Sequence, residues 1–237
     1  MDIYILSYRS RRRKLPENVF LPRMSPVTQT QQQPPSKISP DTAHLIFRPY
    51  MIRAGVALAF GIFSLIYQAP DLMDSGPAWV NVSCAIYLFL TGVAMWEFLR
   101  QEPVPEAMRS PLSMAAAAWV LGPVALVGAQ LFSAGVMATA IILGLALLVA
   151  GIAQLVAGGG YRKEFPPARD WLIPGAVDVL TAVATVIAIF VGADFHNLLG
   201  IVGSAAFIHV VFCSIPGVGY YLDTRRARRR GWRPKES

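Results

Sequence analysis

From Ser110 to Tyr161 the chain reads SPLSMAAAAWVLGPVALVGAQLFSAGVMATAIILGLALLVAGIAQLVAGGGY, 52 consecutive residues without one Asp, Glu, Lys or Arg. A membrane span needs about 20 apolar residues. The stretch therefore predicts two spans joined by a short turn. A soluble domain with so long an uncharged run would not stay dispersed. The rest of the chain agrees. Of its 237 residues, 54% are hydrophobic and 15% charged, against about 25% charged in ordinary soluble proteins.

Working outward in both directions gives six apolar segments. They cover about Met51 to Ala69, Pro77 to Leu99, Leu112 to Phe132, Gly135 to Ala157, Trp171 to Val191 and Asn197 to Ile215. None alternates strictly, which excludes barrel strands. Lipid leaves closed barrels and helices as the spanning structures, so the fold class is an all-α polytopic membrane bundle of six helices. Residues 1–48 form a basic, Pro/Gln-rich tail expected to be disordered. Residues 49–222 form the transmembrane domain, and residues 223–237 a second basic tail. No signal-peptide core precedes Met51. Met24 reads as an alternative translation start.

Charge sets the expected orientation. The net charge is +7, and most of it sits in the tails. The loop after the first segment carries Asp71 and Asp74 and no base, and the loop after the third is uncharged. The loop after the fifth holds only Asp194 and His196. Arg100 and Arg109 follow the second segment, and Arg162, Lys163 and Arg169 follow the fourth. Every Lys and Arg is thus expected on the side shared by both tails. The positive-inside rule makes that side cytoplasmic, in a bacterial plasma membrane. Trp79, Trp171, Tyr220 and Tyr221 are expected as interfacial aromatics. The basic tails are expected to meet anionic lipid headgroups rather than nucleic acid.

Helix pairs recur along the chain. Gly61 and Gly122 are 61 residues apart, and Gly92 and Gly151 are 59 apart. This spacing predicts three repeated hairpins, with Ala182 and Ala206 in the third where glycines stand in the others. Small residues let membrane helices approach closely. Gly55 with Ala59, and Gly200 with Ser204, are further packing pairs, and one of them is a candidate dimer face.

The hairpins with mid-helix glycine, as in Gly151-Ile-Ala-Gln-Leu155 and Arg53-Ala-Gly-Val-Ala-Leu-Ala-Phe-Gly61, resemble the HdeD-type bacterial membrane proteins over about residues 50 to 220. That resemblance implies six helices in repeated pairs and a part in acid resistance. It brings no catalytic residue, and the long tails depart from the compact family pattern.

Polar groups inside the spans are few. Asp178 lies about seven residues into the fifth segment, where a carboxylate costs about 2.5–3.5 kcal/mol on insertion scales. It reads as a structural hydrogen-bonding group or as a proton site. His209 in the sixth segment lies at a similar depth, so an Asp178–His209 contact is expected, one that would titrate with pH. Gln154 is the third intramembrane polar candidate. Glu97 reads as snorkelling beside Arg100. Cys84 and Cys213 read as apolar packing residues. Pro123 and Pro174 read as prolines near segment starts.

No phosphate-loop, nucleophile-elbow or zinc-protease motif occurs. No enzyme, cofactor or metal site is expected. Three functions remain: a non-catalytic HdeD-type envelope or acid-stress protein, an accessory subunit of a larger membrane complex or homo-oligomer, and a small proton-linked transporter or channel using Asp178 and His209.

Overall fold

A computed structural model describes residues 38–67, 77–133 and 135–233. The tail before residue 38, with Met24, and the loop holding Asp71 and Asp74 lie outside them. The described residues form six helices long and apolar enough to cross a membrane: α1 (Pro40–Tyr67), α2 (Pro77–Leu99), α3 (Glu106–Leu131), α4 (Val136–Tyr161), α5 (Leu172–Phe190) and α6 (Phe195–Arg229). A 3-10 segment, Pro166–Trp171, joins α4 to α5. The chain is thus a multi-pass membrane helical bundle. Leu121, Val124, Leu180 and Ile187 on its outer face are exposed, which is costly in water and ordinary in lipid.

Three helices are longer than their apolar cores suggest. α1 starts at Pro40, not near Met51. Ser39 caps it by accepting the Thr42 N–H at 3.1 Å, and the proline at the first position suits a helix start. Residues 40–48 of the expected tail are therefore helical, and α1 continues through Pro49. α3 begins at Glu106, which places Pro123 well inside the helix rather than near its start. α6 runs through Pro216 and on to Arg229, so residues 223–229 of the expected second tail are also helical. At 1.5 Å per residue, its 35 residues reach about 52 Å, some 20 Å more than a hydrocarbon core requires.

The helices close into a ring in chain order. The tightest pairings join α2 to α3, α4 to α5 and α6 to α1. α3 and α4 pack almost as closely as α2 and α3, whereas the consecutive pairs α1–α2 and α5–α6 pack more loosely. Of the three hairpins expected from the glycine spacing, the first and third are thus looser than the pairings between hairpins. Glycines sit where backbones come close. A Cβ on Gly92 would lie 3.1 Å from Trp119 Cβ, one on Gly122 2.8 Å from Ala146 Cβ, and one on Gly61 3.1 Å from the Phe207 ring. The Gly151 backbone meets the backbone of α5 at Gly175.

The two small-residue pairs behave differently from expectation. Gly55 and Ala59 face an apolar groove of about 430 Å3 between α1 and α2. Gly200 and Ser204 line a cavity of about 910 Å3 beside α5 and α6. Both pairs lie along the loosely packed seams, and among the described residues they line open grooves rather than a close helix contact. Because nothing lies within 4 Å of a Cβ built on Gly55, Gly55→Leu is expected to change the unfolding free energy in detergent by less than about 0.5 kcal/mol.

The end of the bundle opposite the basic loops has its own polar tie. Asn81 in α2 donates to Gln130 Oε1 in α3 at 3.0 Å and accepts from Thr139 Oγ1 in α4 at 2.9 Å. Asn81 and Thr139 are both buried, and the three helices are joined without a charge.

Candidate functional site: a buried charged cluster

All six helices send a side chain to one point on the basic half of the bundle. α1 supplies Arg53, α4 Gln154, α5 Asp178 and α6 His209, and all four are buried. Gln154 stands at the centre. Its Nε2 donates to Asp178 Oδ2 at 2.5 Å and to the Ala150 carbonyl at 3.2 Å. Its Oε1 accepts from Arg53 Nη2 at 3.5 Å. His209 Nε2 lies 3.3 Å from Asp178 Oδ1 and 3.4 Å from the Pro174 carbonyl oxygen. The two residues that the sequence puts at equal depth are therefore adjacent, and Gln154 joins them to a cation.

Arg53 is absent from the expected intramembrane polar groups, and it lies inside the bundle rather than at its rim with the other bases. It is only 4% exposed. The pair Arg48–Glu97, 3.6 Å apart with Arg48 largely exposed, marks the rim of the bundle. Arg53 lies five residues further along α1, about 7.5 Å deeper. Its guanidinium sits between two indoles, with Cζ 4.6 Å from the Trp171 ring and 5.0 Å from the Trp119 ring. A desolvated cation over aromatic faces gains about 2 kcal/mol, which offsets part of its dehydration. Tyr87 and Thr91 of α2 and Trp119 of α3 border the cluster.

The 3-10 segment covers the cluster from the basic end. Pro167, Ala168 and Trp171 are buried. The Trp171 ring packs 5.0 Å from Phe98 and 5.5 Å from Tyr50. Tyr50 is also 5.6 Å from Tyr220, and the Tyr220 hydroxyl donates to Asp170 near the end of this segment. Trp171 and Tyr220 are thus core aromatics, not the interfacial residues their segment-end positions suggest. Trp79 and Tyr221, at 57% and 46% exposure, do face outward.

The cluster is closed. Among the described residues, the void that touches Arg53, Asp178 and His209 measures about 10 Å3, the size of a single water. Cys213 borders this void and Cys84 is buried elsewhere in the core. Asp194 is used as the α6 cap, accepting the Asn197 N–H at 2.9 Å, and the His196 ring packs 5.6 Å from Tyr67. Among the described residues, no three His, Cys, Asp or Glu side chains gather as a metal site would require. With a neutral imidazole, the charges of Arg53 and Asp178 sum to zero. The arrangement can therefore hold α1, α4, α5 and α6 together, and a proton added at Asp178 or His209 changes its net charge by one.

Comparison with family models, with curated proteins and with solved structures finds no match.

Proposed function

We propose that this chain is a non-catalytic protein of the bacterial plasma membrane, with both termini in the cytoplasm, acting in envelope or acid stress in the manner of the HdeD-type proteins it resembles. The orientation rests on the basic loops after α2 and α4 and the arginine-rich end of α6 sharing one end of the bundle. The observation that carries the functional reading is the Asp178–His209 contact at 3.3 Å, tied through Gln154 to Arg53 where all six helices meet. A charged group at that point couples proton uptake to the packing of the whole bundle, because its partners come from four different helices. The test is survival of acid challenge by cells producing the wild-type chain or Asp178→Asn/His209→Gln at equal membrane abundance. Survival of the variant is expected to fall to that of cells lacking the chain. Equal survival of all three strains contradicts the stress reading.

An accessory role in a larger complex is a second reading, favoured by the open α1–α2 groove and the cavity beside α5 and α6. Gentle detergent extraction and native mass spectrometry distinguish the two. A fixed stoichiometric partner supports the accessory role, and a chain running alone or with copies of itself supports the first reading. Proton-linked transport fits the packing least well, because among the described residues the void beside Asp178 and His209 measures only about 10 Å3.

A further inference from the structure

The first turn of α1 and the last turns of α6 stand beyond the bundle rim and enclose a groove of about 490 Å3. Ser39 and Pro40 form one wall, and Asp223, Arg226 and Arg230 the other. Trp232, whose ring packs 6.0 Å from that of His44, closes one end. We propose that this groove holds the phosphate headgroup of an anionic phospholipid from the leaflet at the basic end, a proposal independent of the stress reading.

Three observations support it. The first is position. The groove lies between the first turn of α1 and the last turns of α6, at the end of the bundle that carries the basic loops, and arginine stems turn to place the guanidinium at a headgroup layer. The second is charge. Asp223 holds Arg226 at 3.7 Å and is the one carboxylate among the described residues that line the groove. Arg230 has no carboxylate partner among the described residues, so the groove carries a net positive charge. Arg225, Arg228 and Arg229 are exposed around it and raise the potential further. The third is chemistry. Guanidinium groups bind phosphate oxygens in bidentate fashion, the Ser39 hydroxyl stands on the facing wall, and Trp232 is a residue type that membrane interfaces favour.

The test uses the full chain in detergent and native mass spectrometry with equal amounts of dioleoyl phosphatidylglycerol or phosphatidylcholine. The wild-type chain is expected to carry more phosphatidylglycerol than phosphatidylcholine adducts. Arg226→Gln/Arg230→Gln is expected to lose that excess. Arg225→Gln/Arg229→Gln removes the same charge outside the groove and is expected to keep it. Asp223→Asn is expected to increase it. The proposal is overturned if the wild type shows no excess, or if the two double variants lose it equally, since general attraction would then explain it. It is also overturned if soluble glycerol phosphate displaces the adducts as well as phosphatidylglycerol does, because the site would then take free phosphate.

Discussion

Replacing Arg53 by Ala is expected to lower the unfolding free energy of the detergent-solubilised protein by about 3–5 kcal/mol, the size of effect seen when a buried charge is left uncompensated. The loss has two sources. Asp178 keeps its hydrogen bond from Gln154, yet the cation that balances its charge is gone. Trp119 and Trp171 lose the guanidinium packed between them, and a cavity remains. Arg53→Lys should recover little. An ammonium keeps the charge but not the flat face that stacks between two indoles. The measurement is denaturant or thermal unfolding followed by tryptophan fluorescence, which Trp119 and Trp171 make sensitive to this site.

Gly151→Leu is the second large effect. A Cβ at Gly151 would lie 2.7 Å from the Gly175 carbonyl oxygen and 2.8 Å from the Val179 backbone nitrogen. Both are backbone atoms of α5 and cannot rotate away. The helices must separate, and the expected cost is about 3 kcal/mol or more, at or beyond the upper end for overpacked cores. Gln154 lies one turn along α4, so separation also stretches its 2.5 Å hydrogen bond to Asp178. The variant should therefore lose both stability and the polar tie between α4 and α5. Gly151→Ala should show the same defect in smaller measure. Unfolding in the same detergent checks both, with Gly55→Leu as the tolerated control.

The parts of this architecture written as local pattern are legible in the sequence. α2 runs from Pro77 to Leu99, as its apolar run predicts, because the Asp71–Asp74 loop and Arg100 bracket it. The nearness of Asp178 and His209 follows from equal depth on consecutive antiparallel helices. Arg53 is a different case. Counting bases by loop assigns each one to an interface, and a helix started at Met51 leaves Arg53 near the rim. The signal that places it deeper is Ser39-Pro40-Asp41, a cap, a proline and an acid that open a helix. Pro49, Arg48 and His44 mask that signal by interrupting the apolar run. The gathering of helices around Arg53, Gln154, Asp178 and His209 is tertiary. It depends on helix rotation, which a bundle with apolar residues on nearly every face does not disclose. The outward position of Gly55 and Ala59 was hidden for the same reason, since a small-residue pair marks a close approach without saying to what.

The central claim is that Arg53 and Asp178, on different helices, act as one charged unit at the core of the bundle. A double-mutant cycle between Arg53→Met and Asp178→Asn, read by unfolding in detergent, measures that coupling. A coupling of about 2 kcal/mol or more is expected, with the double variant recovering much of what either single variant loses. A coupling within about 0.5 kcal/mol of zero, the range seen for independent sites, contradicts it.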